Sequence, residues 1–179
     1  MRLAQFDKEK ARDIAARFIK AVEHFSASKT GALIVFERET ALNDIIETGV
    51  NINAEVTSEL LQNIFYEGAP LHDGAVIVRT DKLTAAGCVL PLSQNNKLDS
   101  DLGTRHRAGI GITENSDAIS VIVSEETGII SIAEDGKLTR FFDVKPLEEV
   151  LLNSYFGGKE KEKASPFKNL FRRDNNASE

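Results

Sequence analysis

Two short segments of this sequence carry the side chains best suited to chemistry. One, at residues 71–75, reads Leu-His-Asp-Gly-Ala and places an imidazole and a carboxylate before a glycine. The other, at residues 103–107, reads Gly-Thr-Arg-His-Arg and packs two guanidinium groups, an imidazole and a hydroxyl together in a chain whose net charge is −6. Such a basic cluster costs electrostatic free energy unless an anion binds to it. The planar donors of arginine match the geometry of phosphate oxygens. The second segment therefore predicts a phosphate site.

The first segment has two interpretations. Adjacent side chains of a regular strand point to opposite faces, so His72 and Asp73 can reach one ion only where the chain bends. Pro70 before them and Gly74 after them favour such a bend. One interpretation is a catalytic or metal-binding carboxylate at the bend, and the other is an ordinary Asp-Gly turn.

The residues that follow the second segment, 108–112, are predicted to form either a glycine-containing helix or an extended segment, and in the first case the second segment opens that helix. Thr104 is then the expected N-cap, and the amide groups of residues 105–107 are free to meet an anion. A capping box would need Glu or Gln at position 107, where Arg107 stands instead. The helix end is thus prepared for a negative charge from outside the chain. The alternative is a salt-bridge cluster with nearby acids such as Asp99, Asp101 and Glu114.

A third polar segment, residues 124–128, reads Ser-Glu-Glu-Thr-Gly between two apolar stretches. Its carboxylates are the hard oxygen ligands that magnesium or manganese takes beside a polyphosphate. A solvated turn is the alternative. Together the three segments indicate a metal-dependent enzyme that transfers a phosphoryl or nucleotidyl group to a hydroxyl. The sequence contains no Walker motif and no Rossmann glycine motif.

Composition narrows the class of protein. The 179 residues, 41% hydrophobic and 28% charged, are typical of a single soluble globular domain. The acidic net charge argues against nucleic-acid binding. The single cysteine, Cys88, excludes an internal disulfide and a cysteine-based zinc site, and its apolar neighbours predict a core residue. With no membrane-length apolar run and no signal peptide, the chain as given is predicted to be soluble and cytoplasmic.

Periodicity predicts the elements that must position these segments. Helices and strands interleave, so we predict an α/β sandwich with a mixed central β-sheet flanked by helices. The N-terminal helix is amphipathic and is predicted to pack on the core, with a partner-facing or connecting helix as the alternative. In chain order, the predicted elements are a helix over 3–28, a strand over 31–36, a helix over 59–66 capped by Thr57 or Ser58, strands over 75–78, 85–90, 119–123, 129–133 and 137–141, and a helix opened by Pro146 that runs to 156.

Three regions follow from this pattern. Residues 1–28 form the amphipathic helix, residues 29–157 form the catalytic domain, and residues 158–179 form a flexible charged tail. Asp135-Gly136 predicts a tight hairpin between the last two strands. Within the tail, the apolar residues near Phe167 and Phe171 offer a docking or membrane-surface segment as the alternative to disorder.

The paired motifs Asp73-Gly74-Ala75 and Arg105-His106-Arg107 strongly resemble the hallmark motifs of the bacterial diadenylate cyclases. The resemblance covers about residues 10 to 156. Within the family, the chain is most similar to the membrane-anchored type, whose cyclase (DAC) domain follows three transmembrane helices. The resemblance implies a DAC-like α/β sandwich lying on the cytoplasmic side of the cell membrane, with its anchor outside the present sequence and Met1 as a new start. The wider matching strings are residues 29–34, 71–78, 102–107 and 123–128.

The resemblance also implies a reaction. Two ATP molecules condense to cyclic di-AMP and two pyrophosphates with a divalent metal, Mn²⁺, Mg²⁺ or Co²⁺. Each protomer holds one ATP, so a homodimer must bring two sites face to face. A membrane regulator protein and the phosphoglucosamine mutase of cell-wall synthesis are the further partners that the family implies. A nucleotide-binding or cyclic-dinucleotide-binding module without synthesis, and a metal-dependent phosphohydrolase, are the alternatives.

Residue roles follow from the matching positions. Asp73 is expected to bind metal or to activate the 3′-hydroxyl, with Gly74 allowing close approach, while His72 and Glu126 serve the metal. Leu90 belongs to the expected adenine slot, next to Val89, where the family often has an aromatic residue. The expected triphosphate and ligand contacts are Gly103, Thr104, Arg105, His106, Arg107, Ser124 and Glu125.

Overall fold

The computed structural model describes residues 7–141 and 143–157. The predicted tail over 158–179 and the first residues of the predicted N-terminal helix lie outside this part of the chain. The division into three regions therefore stays a prediction.

A seven-stranded mixed sheet forms the centre of the described structure, with strand order β2-β4-β3-β1-β5-β6-β7. Strands β1 and β3 are parallel, and the remaining neighbours are antiparallel. This confirms the predicted α/β class with a mixed sheet. The strands are β1 Ala32–Phe36, β2 Val50–Glu55, β3 Ala75–Arg79, β4 Lys82–Cys88, β5 Ile119–Val123, β6 Ile130–Glu134 and β7 Lys137–Phe141.

Helices cover both faces of the sheet. One face packs against α1, α3 and α5, and the other packs against α4. Strand β1 lies between the two cores and is buried on both sides, as its continuous apolar run predicts. The helices are α1 Lys8–Ser28, α2 Asn43–Ile46, α3 Ser58–Phe65, α4 Thr104–Glu114 and α5 Val144–Val150, which continues as a π-helical turn over Leu151–Tyr155.

The N-terminal helix is a packed helix over its described length. Its apolar side chains recur every three or four residues and are buried against the sheet. Phe18 meets Phe36 edge to face with ring centroids 4.9 Å apart, and Phe36 meets Tyr155 in the same way at 5.0 Å. These contacts favour the predicted core-packing role of this helix over the partner-facing alternative.

Capping side chains set where several helices begin. Thr57 caps α3 by accepting a hydrogen bond from the amide of Leu60 at 3.0 Å, as predicted. The last helix begins at Val144, because the Asp143 carboxylate accepts from the Lys145 amide at 3.3 Å. The prediction that Pro146 opens this helix was therefore wrong by two residues. Proline is tolerated there, since amides of the first turn have no helical partner.

Strand ends and hairpins show where sequence signals were strong or weak. Asp135 and Gly136 have φ angles of 50° and 73°, the left-handed pair that a tight type I′ hairpin requires. Strand β4 begins at Lys82 and ends at Cys88, so Leu90, predicted to lie in this strand, lies beyond its end. Strand β2 was not predicted, although its residues alternate between apolar and polar types. This edge strand is largely exposed, its asparagines are poor strand formers, and a register shift between Asn51 and Ala54 interrupts its pairing.

Helix α4 is held between the sheet and the segment after β4. A Cβ atom at Gly109 would lie 2.8 Å from the Ile122 side chain, and one at Gly111 would collide with the backbone of Pro91 and Ser93. The Ser93 amide also donates to the Arg107 carbonyl at 3.0 Å. The two glycines therefore let this helix approach both neighbours closely, which fixes the position of its first turn.

Candidate active site

The three polar segments meet at one edge of the sheet. Because β1 and β3 run parallel while β4 and β5 run antiparallel to them, the starts of β1 and β3 lie beside the ends of β4 and β5. Asp73 and Gly74 precede β3, and Ser124 follows β5. The first turn of α4 lies against the same edge. Residues far apart in the sequence thus face one cleft.

This cleft has a volume of about 640 Å³, within the range of ligand sites. His72 and Arg107 are not among its lining residues. Ten of the predicted site residues line it, namely Asp73, Gly74, Leu90, Gly103, Thr104, Arg105, His106, Ser124, Glu125 and Glu126.

Gly74 produces the bend that the first motif requires. Its φ of 117° is a conformation that favours glycine, and a Cβ atom there would lie 2.8 Å from the Cys88 carbonyl oxygen. The chain can therefore start β3 directly against the end of β4. This places the exposed carboxylate of Asp73 at the cleft.

His72 lies in the turn just before this bend. Its Nδ1 is 2.7 Å from the Ala69 carbonyl oxygen, to which a ring N–H at this position donates. That hydrogen bond leaves Nε2 with its lone pair, the arrangement that histidine metal ligands commonly show. The predicted ligand role of His72 is not tested by this geometry and stays a prediction.

The donor set available for a metal is small. Among the described residues, no three His, Cys, Asp or Glu side chains come close enough together to hold an ion by themselves. Magnesium and similar ions usually take one or two carboxylates and complete their shell with phosphate oxygens and water. Asp73 and Glu126 in the cleft fit that kind of site, in which a nucleotide supplies further ligands.

The helix N-terminus differs by one residue from the prediction. Gly103, not Thr104, is the N-cap of α4, and it has extended backbone with no side chain to cap the helix. The Arg107 amide donates to the Gly103 carbonyl at 3.2 Å, so it is no longer free for an anion. The first-turn amides of residues 104–106 remain, and a helix start with uncapped donors favours a negative ligand.

Arg105 makes an ion pair that was not foreseen. Its Nη1 donates to Glu125 Oε2 at 2.9 Å, across from α4 to the turn after β5. The predicted alternative, a cluster with Asp99, Asp101 and Glu114, does not form around Arg105, and Glu114 instead accepts from the Ser93 hydroxyl. The guanidinium is thus at the cleft with its orientation set by a carboxylate.

His106 is the buried member of the basic cluster. Burial, followed by the positive charges of Arg140 and Arg105, holds the pKa of its imidazole below the ordinary value of 6.5. At neutral pH the side chain is therefore uncharged. The positive charge that α4 brings to the cleft comes from Arg105 and from the helix dipole.

The lowered pKa predicts a pH-dependent stability. The unfolded chain binds a proton at His106 more readily than the folded chain does. The free energy of unfolding is therefore at its full value above about pH 6.5, where His106 is neutral in both states, and part of it is lost as the pH falls through the lowered pKa. Urea unfolding at pH 7.5 and 5.5 should show a smaller loss of unfolding free energy in His106→Gln than in the wild type. His24→Gln, at an exposed position, serves as the control, and equal losses in all three proteins would contradict the prediction.

The turn after β5 is organised by its own serine. Ser124 Oγ accepts from the amides of Glu126 and Thr127, each at 3.2 Å. This local turn holds Glu125 and Glu126 at the cleft mouth. The ordered turn agrees with the solvated-turn alternative and leaves the predicted ligand roles of these residues as predictions.

Several cleft residues were not predicted as ligand contacts. Val89 and Leu92 form an apolar wall with exposed fractions of 66% and 44%. The cleft is also lined by Leu33, Asp101, Ala108 and Val123. No local signal marks Leu33, because β1 is apolar at every position. Cys88 also lines the cleft, and burial raises the pKa of its thiol to about 11, which agrees with the predicted core residue.

Across the described residues, no helix has the length and apolar character needed to cross a membrane.

Several known proteins are similar to this chain in sequence and in fold. Residues 19–138 match the family described as DisA bacterial checkpoint controller nucleotide-binding, or DAC. The cyclic di-AMP synthase CdaA of Bacillus subtilis is 48% identical over 132 residues, which make up 74% of this chain and 48% of that protein. The chain spans about half the length of the curated relatives that it matches.

Two solved structures extend the match to three dimensions. A crystal structure of a double mutant of DacA from Staphylococcus aureus has a TM-score of 0.79 and 48% identity, covering 82% of this chain and 97% of that one. The structure of a hypothetical membrane spanning protein from Bacillus cereus has a TM-score of 0.69 and 48% identity, covering 70% of this chain and 62% of that one.

Proposed function

Because this chain belongs to the DAC family of DisA-type nucleotide-binding domains, we propose that it is a diadenylate cyclase, which condenses two ATP into cyclic di-AMP and two pyrophosphates. The observation that carries the proposal is the shared cleft: Asp73 lines the same cavity as the uncapped start of α4 and Arg105. Relatives named cyclic di-AMP synthase and diadenylate cyclase support the same reaction.

The basic side of the cleft is suited to the triphosphate. The amides of residues 104–106 and the Arg105 guanidinium offer donors to phosphate oxygens. The apolar wall of Val89 and Leu92, with Leu90 beside it, suits the adenine ring. The exposed Val89 offers no aromatic face, so adenine is held there by apolar contact. Arg107 lies outside the cleft lining, and we assign its main contribution to the start of α4, where its amide and carbonyl are both bonded.

Asp73 is suited to activate the hydroxyl. In the proposed step, a 3′-hydroxyl gives its proton to the Asp73 carboxylate, and its oxygen forms a bond to the α-phosphorus of the other ATP. The bond from that phosphorus to pyrophosphate breaks, and pyrophosphate leaves. A divalent metal, Mn²⁺, Mg²⁺ or Co²⁺, would offset charge on the phosphates and lower the pKa of the hydroxyl. We propose that Asp73 would hold it with one further side chain, Glu126 or His72 through Nε2, and that phosphate oxygens and water would complete its shell.

Ring closure demands two protomers. One cleft of this size takes one ATP, and both 3′-hydroxyls must attack, so we propose a homodimer with the two clefts face to face. Alignment of the two bound substrates then supplies much of the rate enhancement. We further propose that the native protein lies on the cytoplasmic side of the membrane, in line with the membrane-spanning relative. The regulator protein and the mutase stay predictions from the family resemblance.

Product identification tests this function. Folded protein should be incubated with ATP and each of the three metals, and the products separated and identified by mass spectrometry. We expect cyclic di-AMP, with two pyrophosphates released for each molecule formed. AMP or ADP as the final product would indicate a phosphohydrolase, and nucleotide binding with no turnover would indicate a binding module. Either result would overturn the proposal.

A further inference from the structure

The residue before β1, Gly31, lies directly under the guanidinium group of Arg105. A Cβ atom built at Gly31 would lie 2.7 Å from Arg105 Cζ and 3.2 Å from Nε, and would also collide with Nη1. Real Cβ atoms essentially never have another heavy atom closer than 3.0 Å, so the contacts with Cζ and Nη1 could not persist. The guanidinium therefore occupies the space that a side chain at position 31 would fill.

The backbone at Gly31 does not itself require glycine. The described glycines with φ in the left-handed region are Gly68, Gly74, Gly87, Gly128 and Gly136, and Gly31 is not one of them. Its φ angle therefore does not exclude a residue with a side chain. The buried Gly31 is therefore explained by the space it leaves and not by its φ angle.

Glu125 holds the guanidinium from another direction. Its Oε2 lies 2.9 Å from Arg105 Nη1, and the side chain of Arg105 is only 21% exposed. Arg105 Nε is buried and has no hydrogen-bond partner among the described residues. A long side chain with four rotatable bonds is thus confined to one position at the cleft, which lowers the entropy cost of using it to bind an anion.

We propose that Gly31 is a positioning residue for polyphosphate binding, because its missing side chain provides the seat on which the Arg105 guanidinium lies. Arg105 contacts the ligand, and Gly31 acts through Arg105. The ligand class, the polyphosphate chain of a nucleoside triphosphate, rests on the proposed function. The seat itself rests on the close approach of the two residues.

Substitution of Gly31 should weaken nucleotide binding without loss of the fold. In Gly31→Ala the new methyl group displaces the flexible end of Arg105, which costs little stability because no backbone has to move. We expect the dissociation constant of a non-hydrolysable ATP analogue to rise about tenfold, within the range of coupling between residues in contact. Binding of adenosine, which lacks phosphates, should stay unchanged. Calorimetry measures both ligands.

A double-mutant cycle separates positioning from a general structural effect. In an Arg105→Ala background, Gly31→Ala should have no further effect on the affinity for the ATP analogue, since the displaced group is already gone. The same tenfold loss in both backgrounds, or no loss in Gly31→Ala alone, would overturn the inference. If Gly31→Ala unfolds, the double variant should fold, because the collision is relieved, and failure of the double variant to fold would also overturn it.

These binding measurements do not depend on synthesis. If the wild-type protein makes no cyclic di-AMP but the variants show the coupling between Gly31 and Arg105, the proposed reaction would be refuted. The positioning role of Gly31 would still be supported. If the protein makes cyclic di-AMP but the coupling is absent, only the positioning role of Gly31 would be refuted.

Discussion

Replacing Asp73 by asparagine is expected to remove most cyclic di-AMP synthesis while leaving the fold and ATP binding in place. Asparagine has nearly the same shape but can neither accept the hydroxyl proton nor supply a negative charge to a metal. General base and metal contributions of this kind are worth about 100-fold or more in turnover. The change should therefore appear in kcat, with a smaller effect on the affinity for an ATP analogue.

The structure explains why the fold should survive this change. The Asp73 side chain is exposed, and within the described part of the chain its carboxylate takes part in no hydrogen bond or ion pair. The bend at this position depends on Gly74, which the variant retains. Thermal unfolding should place the variant within about 0.5 kcal/mol of the wild type, as for surface substitutions away from structural contacts.

A second acid at the same cleft provides a matched control. Asp101 lines the cleft but lies outside the hallmark motifs, so Asp101→Asn changes the same charge at a different point. We expect turnover of this variant to stay close to that of the wild type, because Asp101 is exposed and has no part in the proposed hydroxyl or metal chemistry. Equal losses from the two variants would show a general charge effect, and full turnover of the Asp73 variant would remove Asp73 from the mechanism.

The parts of the fold that could be predicted are those that local periodicity determines. Strands β5 and β7 begin and end at the predicted residues, and the N-terminal helix shows its apolar spacing along its whole described length. The hairpin between β6 and β7 followed from Asp135-Gly136, whose left-handed geometry few other residue pairs adopt. Strand β2 was missed although Val50, Ile52 and Ala54 alternate with polar residues, because the run is short and contains two asparagines, which are poor strand formers.

The site was predictable in its residue types but not in its contacts. The motifs identified most of the cleft lining, since clustered charges and a glycine bend are local features. The partner of Arg105 was not predictable, because Glu125 approaches it only through the order of strands in the sheet. The same holds for Gly31, whose role depends on how α4 lies against the start of β1. The shift of the cap to Gly103 reflects the poor resolution of helix boundaries from sequence.

The largest effect beyond Asp73 is expected from protein concentration. A single cleft that holds one ATP cannot close a two-nucleotide ring, so synthesis requires the meeting of two loaded protomers. While most of the protein is monomeric, the rate per protomer should rise in proportion to concentration, so the total rate rises about fourfold for each doubling by mass action. The rate per protomer should level off once the dimer dominates. Attachment to a membrane would raise the local concentration and favour the same encounter.

The most direct test is therefore the initial rate of cyclic di-AMP formation, at saturating ATP and metal, over a wide series of protein concentrations. The dimer fraction at each concentration is measured in parallel by sedimentation. We predict that the product is cyclic di-AMP and that the rate per protomer follows the dimer fraction. Full synthesis by monomeric protein, or a dimer that binds ATP and releases no cyclic di-AMP, would contradict the account.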